Sequence, residues 1–269
     1  GDLFADYQKV HQAYGYAYQL PNVTAYNETC AALGNILWCH RLFALSPRAQ
    51  YFDLIEQIYL NTALSAVSLD GEKYFYENML RRTRSLPYRL TWPLERTAII
   101  PNCFCCPTNL ARFIAQASEY CYAVDENSVY AGLYGASEAR IALKNGAQMT
   151  LCQRTAYPWD GAIRFELRDY NGVAFTLRLR IPGWAQSGTL FYNGQHRRID
   201  SSDAGSYIGV PVDSDQPVVL TLDMPARLIA AHPMVEECAG QVAVQRGPIV
   251  YCVESADAPC DVDELYLPS

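Results

Sequence analysis

The feature that most constrains this chain is a change of hydrophobic period near residue 126. Before it, apolar residues recur every three or four positions, as on one face of a helix. After it they alternate, as on a half-buried strand. In YNETCAALGNILWCHRLFAL, Leu33, Ile36 and Leu37 share a helical face, and in PRAQYFDLIEQIYLNTALSAV so do Leu54, Ile55, Ile58 and Thr62. A third helix is expected to start at Pro107, a residue suited to a first turn, and to carry Leu110, Phe113, Ile114 and Ala117. Asp70-Gly71 marks a turn between the second and third helices. Beyond residue 125 the runs SVYAGLYG, QMTLCQRTAYP, AIRFELRDY, AFTLRLRIP, GTLFYNG, PVVLTLDMP and QVAVQRGPIVYCVE alternate or are β-branched. Gly, Asn, Asp and Pro clusters separate them. Asn145-Gly146 and Asn193-Gly194 are hairpin dipeptides. The pattern predicts an α+β chain of two domains, a helical one over 1–125 and an antiparallel β-sandwich over 126–269, with the boundary at 123–128.

Composition removes several function classes. Of 269 residues half are hydrophobic and 18% charged, which excludes a disordered chain and supplies a core. No apolar run approaches the roughly 18 residues of a membrane helix. A net charge of −7 argues against a nucleic-acid partner. Twenty Tyr and four Trp fit sugar stacking and an ordinary core alike. The opening GDLFADYQKVHQAYG has no initiator Met and no basic-then-apolar leader, so the chain reads as a piece of something longer, incomplete also at its end.

Ten cysteines are too sparse for a disulfide scaffold of this length. Cys39, Cys121, Cys152, Cys238 and Cys252 read as free buried thiols, which implies a reducing, cytoplasmic setting. The strongest chemical signal is two short clusters about 75 residues apart, Glu28-Thr29-Cys30 and Cys103-Phe104-Cys105-Cys106-Pro107. Thiolates and a carboxylate are zinc ligands. Positions i and i+2 point to different faces of a helix, so Glu28 and Cys30 share an ion only where helix has not yet formed. That places a helix start near Thr29 or Cys30. Cys106 sits at the mouth of the third helix, where the helix dipole favours a thiolate. Spacing alone leaves open a zinc site, a catalytic thiol and simple buried cysteines.

The blocks AYQLPNVTAYNETCAALGNILWCHRLF and NCFCCPTNLARF resemble glycoside hydrolase family 127, the β-L-arabinofuranosidase family. Downstream, LRIPGWA, YNG and QVAVQRGPIVYC resemble that family's sandwich. The resemblance implies that residues 1–125 are the C-terminal part of an (α/α)6 barrel. It implies Zn2+ held by Glu28, Cys30, Cys105 and Cys106, with Cys105 as the nucleophile of a retaining hydrolase. It also implies Glu56 and Tyr76 as contacts to a carbohydrate, a β-linked L-arabinofuranoside or similar pentose. One position departs from the pattern. Sixteen residues before Glu28, where the family carries an acid/base Glu in a stretch like HEAFG, this chain reads His11-Gln12-Ala13-Tyr14-Gly15. Gln12 neither gives nor takes a proton at working pH. His11 is a poor substitute, since a packed or solvated histidine is the simpler reading. Two rivals follow: a carbohydrate-binding relative without turnover, and a structural-zinc protein of unrelated activity. An incomplete barrel would expose apolar helix faces, which implies self-association.

The remaining features read as structural. His40 is a packed or surface histidine, and His196 and His232 fall in sandwich loops. Trp159, Trp184 and Tyr192 read as packing between strands more than as a stacking platform. Asn22-Val23-Thr24 and Asn27-Glu28-Thr29 match the glycosylation sequon, and the Arg81-Arg82-Thr83-Arg84 run reads as a solvated loop.

Overall fold

A computed structural model describes residues 17–22, 25–81, 93, 95–99, 103–254, 258–260 and 262–267. Three α-helices come first: α1 (Thr29–Leu45), α2 (Ala49–Ile58) and α3 (Cys105–Ala115). No described helix is long and apolar enough to cross a membrane. Helix α1 buries Thr29, Leu33, Ile36, Cys39 and Phe43, a three-and-four spacing, and turns Leu37 and Trp38 outward. Helix α2 buries Ala49, Phe52, Ile55 and Glu56, so its inner face is rotated from the expected Leu54–Ile58 stripe. Helix α3 begins two residues before Pro107, and Ile114 points outward while Leu110 and Phe113 are buried. Helix α2 runs on into a π-helical turn, Tyr59–Ala63, after which the described chain to residue 81 holds only turns and isolated bridges.

Strands follow from Tyr122 onward in three sheets. The first takes β1 (Tyr122–Val124), β2 (Ser128–Ala131), β6 (Phe175–Ile181) and β9 (Ser206–Val212) in that order. The second takes β3 (Ser137–Ala142), β4 (Gln148–Thr155), β5 (Ala162–Arg168), β10 (Val218–Leu222), β7 (Ser187–Tyr192) and β8 (Gln195–Asp200). Leu177, Leu179, Val210 and Val129 from one sheet meet Leu151, Ile163, Leu190 and Leu220 from the other in one core, which is the expected sandwich. It is not wholly antiparallel, because β2 pairs with β6 in parallel. The chain leaves the first sheet after β2, builds β3–β5 in the second, and returns at β6. The Asn193-Gly194 hairpin joins β7 to β8, with both residues at positive φ as a two-residue turn of this kind requires. His196 lies in β8, not in a loop, its ring tilted against Phe191. The third sheet, β11 (Ala226–Ala230), β12 (Val242–Arg246) and β13 (Ile249–Tyr251), is separate, where the alternation predicts a single sandwich. All ten cysteines are free, and Cys252 is exposed, not buried.

The helices pack on the outer face of the four-stranded sheet over β2 and the Arg180–Tyr207 end of β6 and β9, while Gly209 and Pro211 farther along β9 stay exposed. That cover is why every residue of β2 is buried. Along β6 the alternation sends Phe175, Leu177, Leu179 and Ile181 into the sandwich and Arg178 and Arg180 toward the helices. There Tyr130 and Tyr207 pack edge-on or tilted against Phe43, and Phe43 against Phe52. Arg180 is fully buried and holds α2 in two places. It pairs with Asp53 at 2.5 Å and Glu56 at 2.5 Å, and donates from Nε to the carbonyl of Gly132 at 2.9 Å. Gly132 permits this approach: a Cβ there would lie 2.4 Å from the Phe52 ring and 2.6 Å from the Tyr120 carbonyl oxygen. Gly132→Ala is therefore expected to destabilise the protein by about 1–3 kcal/mol, as overpacking does. A urea midpoint equal to wild type would contradict the contact.

Candidate metal centre

The two sequence clusters meet. Backbone bonds explain where the first one stops being extended and becomes helix. Glu28 bridges Glu77, and Thr29 donates its N–H to the Tyr76 carbonyl at 2.9 Å and its hydroxyl to the Phe75 carbonyl at 2.8 Å. Helix α1 thus starts at Thr29, as the ligand spacing requires. Glu28, with extended backbone, is free to turn its carboxylate away from the helix end. Cys105 and Cys106 open α3, where N–H groups not yet paired within the helix favour negative charge.

One carboxylate oxygen of Glu28 and the sulfurs of Cys30, Cys105 and Cys106 all lie within 4.8 Å of one another. The sulfurs of Cys30 and Cys106 are 3.4 Å apart and those of Cys105 and Cys106 are 3.8 Å apart. Oε1 of Glu28 is 3.5 Å from Cys105 and 3.9 Å from Cys106. A tetrahedral zinc with Zn–S about 2.3 Å has S···S edges of about 3.8 Å and S···O edges of about 3.5 Å. The donors therefore fit a thiolate-rich tetrahedral ion in type, number and spacing.

The groups around the cluster constrain it further. Tyr26 donates to Oε2 of Glu28 at 2.9 Å and lies 3.2 Å from the Tyr76 hydroxyl. Asn109 donates from Nδ2 to the Cys30 sulfur at 3.1 Å. Cys103 is 3.6 Å from Cys105. Cys106 is fully buried, whereas Cys30, Cys103 and Cys105 are half-buried. Without a cation the thiols do not ionise together. The hydrogen bond from Cys106, aided by Asn109 against the cost of burial, draws Cys30 down to about 6. Burial first, then hydrogen bonding to Cys30 and Cys103, pushes Cys105 up to about 12. Cys106 is pushed up by its hydrogen bond to Cys30 and by burial. A bound cation would ionise all three.

Family models match nearly the whole chain in three consecutive pieces. The β-L-arabinofuranosidase GH127 catalytic domain matches residues 5–119, the GH127 middle domain 128–226 and the glycoside hydrolase family 127 C-terminal domain 226–269. The chain belongs to glycoside hydrolase family 127. A curated family relative, the non-reducing end β-L-arabinofuranosidase of Bifidobacterium longum, is 33% identical over 94% of this chain and 39% of its own length. A solved GH127 β-L-arabinofuranosidase from Geobacillus stearothermophilus is 35% identical with a TM-score of 0.78, covering 90% of this chain and 39% of that one. Another structure, described as a glycoside hydrolase, is 45% identical with a TM-score of 0.86 over 92% of this chain and 41% of its own. The chain thus spans about two fifths of the length of these family 127 relatives.

Of the residues that the resemblance to family 127 points to, Glu28, Cys30, Cys105 and Cys106 converge, and Tyr76 stands beside them with its ring buried. Glu56 does not join them. It is 2% exposed and its carboxylate accepts from Arg180 and, at 2.8 Å, from the Tyr157 hydroxyl. The Arg180 cation and the Tyr157 hydroxyl hold this carboxylate at the interface with the sandwich. Gln12 and His11 lie outside the described residues, as do Val23, Thr24 and residues 82–84 of the arginine-rich run. Asn22 engages its amide with Gln241, the Glu237 carbonyl and Cys238, a packed role rather than a glycan acceptor's. His40 packs edge-on to Phe52 and Tyr120. His232 stacks on Tyr18. Trp184 and Tyr192 pack on the sandwich core while Trp159 is exposed, so the three do not form one platform. Cys103, Tyr26 and Asn109 escaped the sequence reading as site residues. Two carried a signal: Cys103 lies in the second cysteine cluster, and Asn109 lies four residues after Cys105 and three after Cys106, on their face of α3.

Proposed function

We propose that this chain carries the thiolate centre of a retaining glycosidase that acts on β-linked L-arabinofuranose or a similar pentose. In this reading the helices belong to the closing part of an (α/α)6 barrel. The observation that carries it is the convergence of Glu28, Cys30, Cys105 and Cys106 within 4.8 Å in a family 127 chain. Zinc is the ion we assign to these four residues, and when bound it keeps the thiols ionised at neutral pH. Cys105 is half-buried and able to meet a sugar, whereas Cys106 is sealed. Cys105 Sγ attacks the anomeric carbon, and the C–S bond forms as the bond to the leaving oxygen breaks. That oxygen takes a proton. Water then adds to the same carbon from the face the leaving group vacated, gives up a proton, and releases the sulfur, so configuration is retained. The Tyr76 hydroxyl, beside Tyr26, is the group we assign to hydrogen-bond the sugar.

The test is metal analysis of the full chain joined to intact mass after incubation with a haloacetamide arabinofuranose probe. One equivalent of zinc and one label, mapped to Cys105, are expected. Both should vanish together after treatment with a strong chelator. Labelling that ignores chelation, or that settles on Cys103, would remove Cys105 from the role. Gln12 favours a second reading, a family member that binds its sugar without turning it over.

A further inference from the structure

Three thiols face one candidate ion site, yet the reading above gives only one of them the chemistry. The surroundings of α3 show a cause. Asn109 Nδ2 reaches the sulfur of Cys30 at 3.1 Å. Its other end is pinned, because Arg112 NH1 donates to Asn109 Oδ1 at 2.7 Å. Arginine has donors only, so the carbonyl end of the amide must face it, and the NH2 end must face the sulfur. Among the described residues no amide donor is seen on Cys105, whose polar neighbours include Cys30, Cys103, Cys106 and Glu28. A thiolate that accepts an N–H bond has part of its charge already engaged and gives less to an electrophile. Cys30 and Cys105 are both half-buried, so access alone does not separate them.

We infer that Asn109, oriented by Arg112, is a positioning residue that makes Cys30 a spectator ligand and leaves Cys105 the reactive sulfur. The inference rests on the proposed thiolate chemistry but makes its own prediction about two sulfurs. A hydrogen bond to a charged group corresponds to roughly tenfold or more in relative reactivity.

The experiment uses iodoacetamide at limiting dose on the zinc-loaded full chain and reads the ratio of alkylated Cys105 to alkylated Cys30 by peptide mapping. In wild type Cys105 is expected to lead. In Asn109→Leu, which keeps the shape and removes the donor, the ratio should fall roughly tenfold. Arg112→Met, which frees the amide to turn, should lower it part of the way. Cobalt substitution supplies a second readout, since removing the N–H bond should shift the sulfur-to-cobalt charge-transfer band in Asn109→Leu. A ratio that stays at the wild-type value in both variants, or a band that does not move, overturns the inference. Zinc stoichiometry is read separately: a protein that takes up no zinc defeats the proposed metal centre and the inference with it, whereas full zinc with an unmoved ratio overturns the inference alone.

Discussion

Arg180→Met is expected to lower the stability of the full chain by about 3–5 kcal/mol, the range for breaking a buried ion pair from one side. The guanidinium is fully buried, and the side chain of Glu56 is 3% exposed, so water does little to screen the pair. Removing the cation leaves Asp53 and Glu56 facing each other across one helical turn with only neutral donors, Gly183 N–H and the Tyr157 hydroxyl. It also strands the Gly132 carbonyl that Nε had paired. The double variant Arg180→Met/Glu56→Leu should cost less than Arg180→Met alone, because it removes the orphaned charge with its partner. Urea denaturation of the two variants checks both statements. A loss below about 1 kcal/mol would put the network in the class of exposed pairs and deny it a role in joining the layers.

The second large effect concerns catalysis. On the proposed retaining route, Gln12→Glu in the full-length protein is expected to raise turnover of a β-L-arabinofuranoside by about 10²–10⁴-fold, the usual yield of general acid/base assistance. The two-step route needs a proton delivered to the leaving oxygen and another removed from water. An amide does neither. The gain should be larger for an alkyl glycoside than for an activated aryl one, since a poor leaving group depends more on protonation. It should also bring a pH optimum bounded by a carboxyl group, which Gln12 cannot provide. Equal rates for wild type and variant would detach position 12 from proton transfer. Tight binding with no turnover in either would favour the non-catalytic reading.

The parts of the fold that local chemistry dictates were readable from residues alone. The start of α1 at Thr29 followed from the need for Glu28 and Cys30 to point the same way, and the β7–β8 hairpin followed from Asn193-Gly194. The inner face of α2 did not, because counting apolar positions cannot find Glu56, a charge buried by a partner 124 residues away. Strands β1, β3, β9 and β11 escaped for a related reason. All but β9 are short or largely polar: Ser137–Ala142 in β3 has no fully buried position. Strand β9 carries Gly209 and Pro211, which read as breakers and are tolerated there because it is an edge. The four residues of the candidate metal cluster were recoverable because their side chains announce their chemistry. Asn109 meets Cys30, 79 residues away, and only coordinates bring that pair together.

The π-helical turn at Tyr59–Ala63 has a wider consequence. It presents Asn61, whose amide donates to the Pro248 carbonyl at 2.8 Å and accepts from the Val250 N–H at 2.8 Å. A primary amide offers the same donor and acceptor pair as a peptide unit, so Asn61 occupies the rim of the last sheet as one residue of an added strand would. A foreign chain seeking to extend that sheet beside β13 by backbone pairing finds this position on the edge already taken.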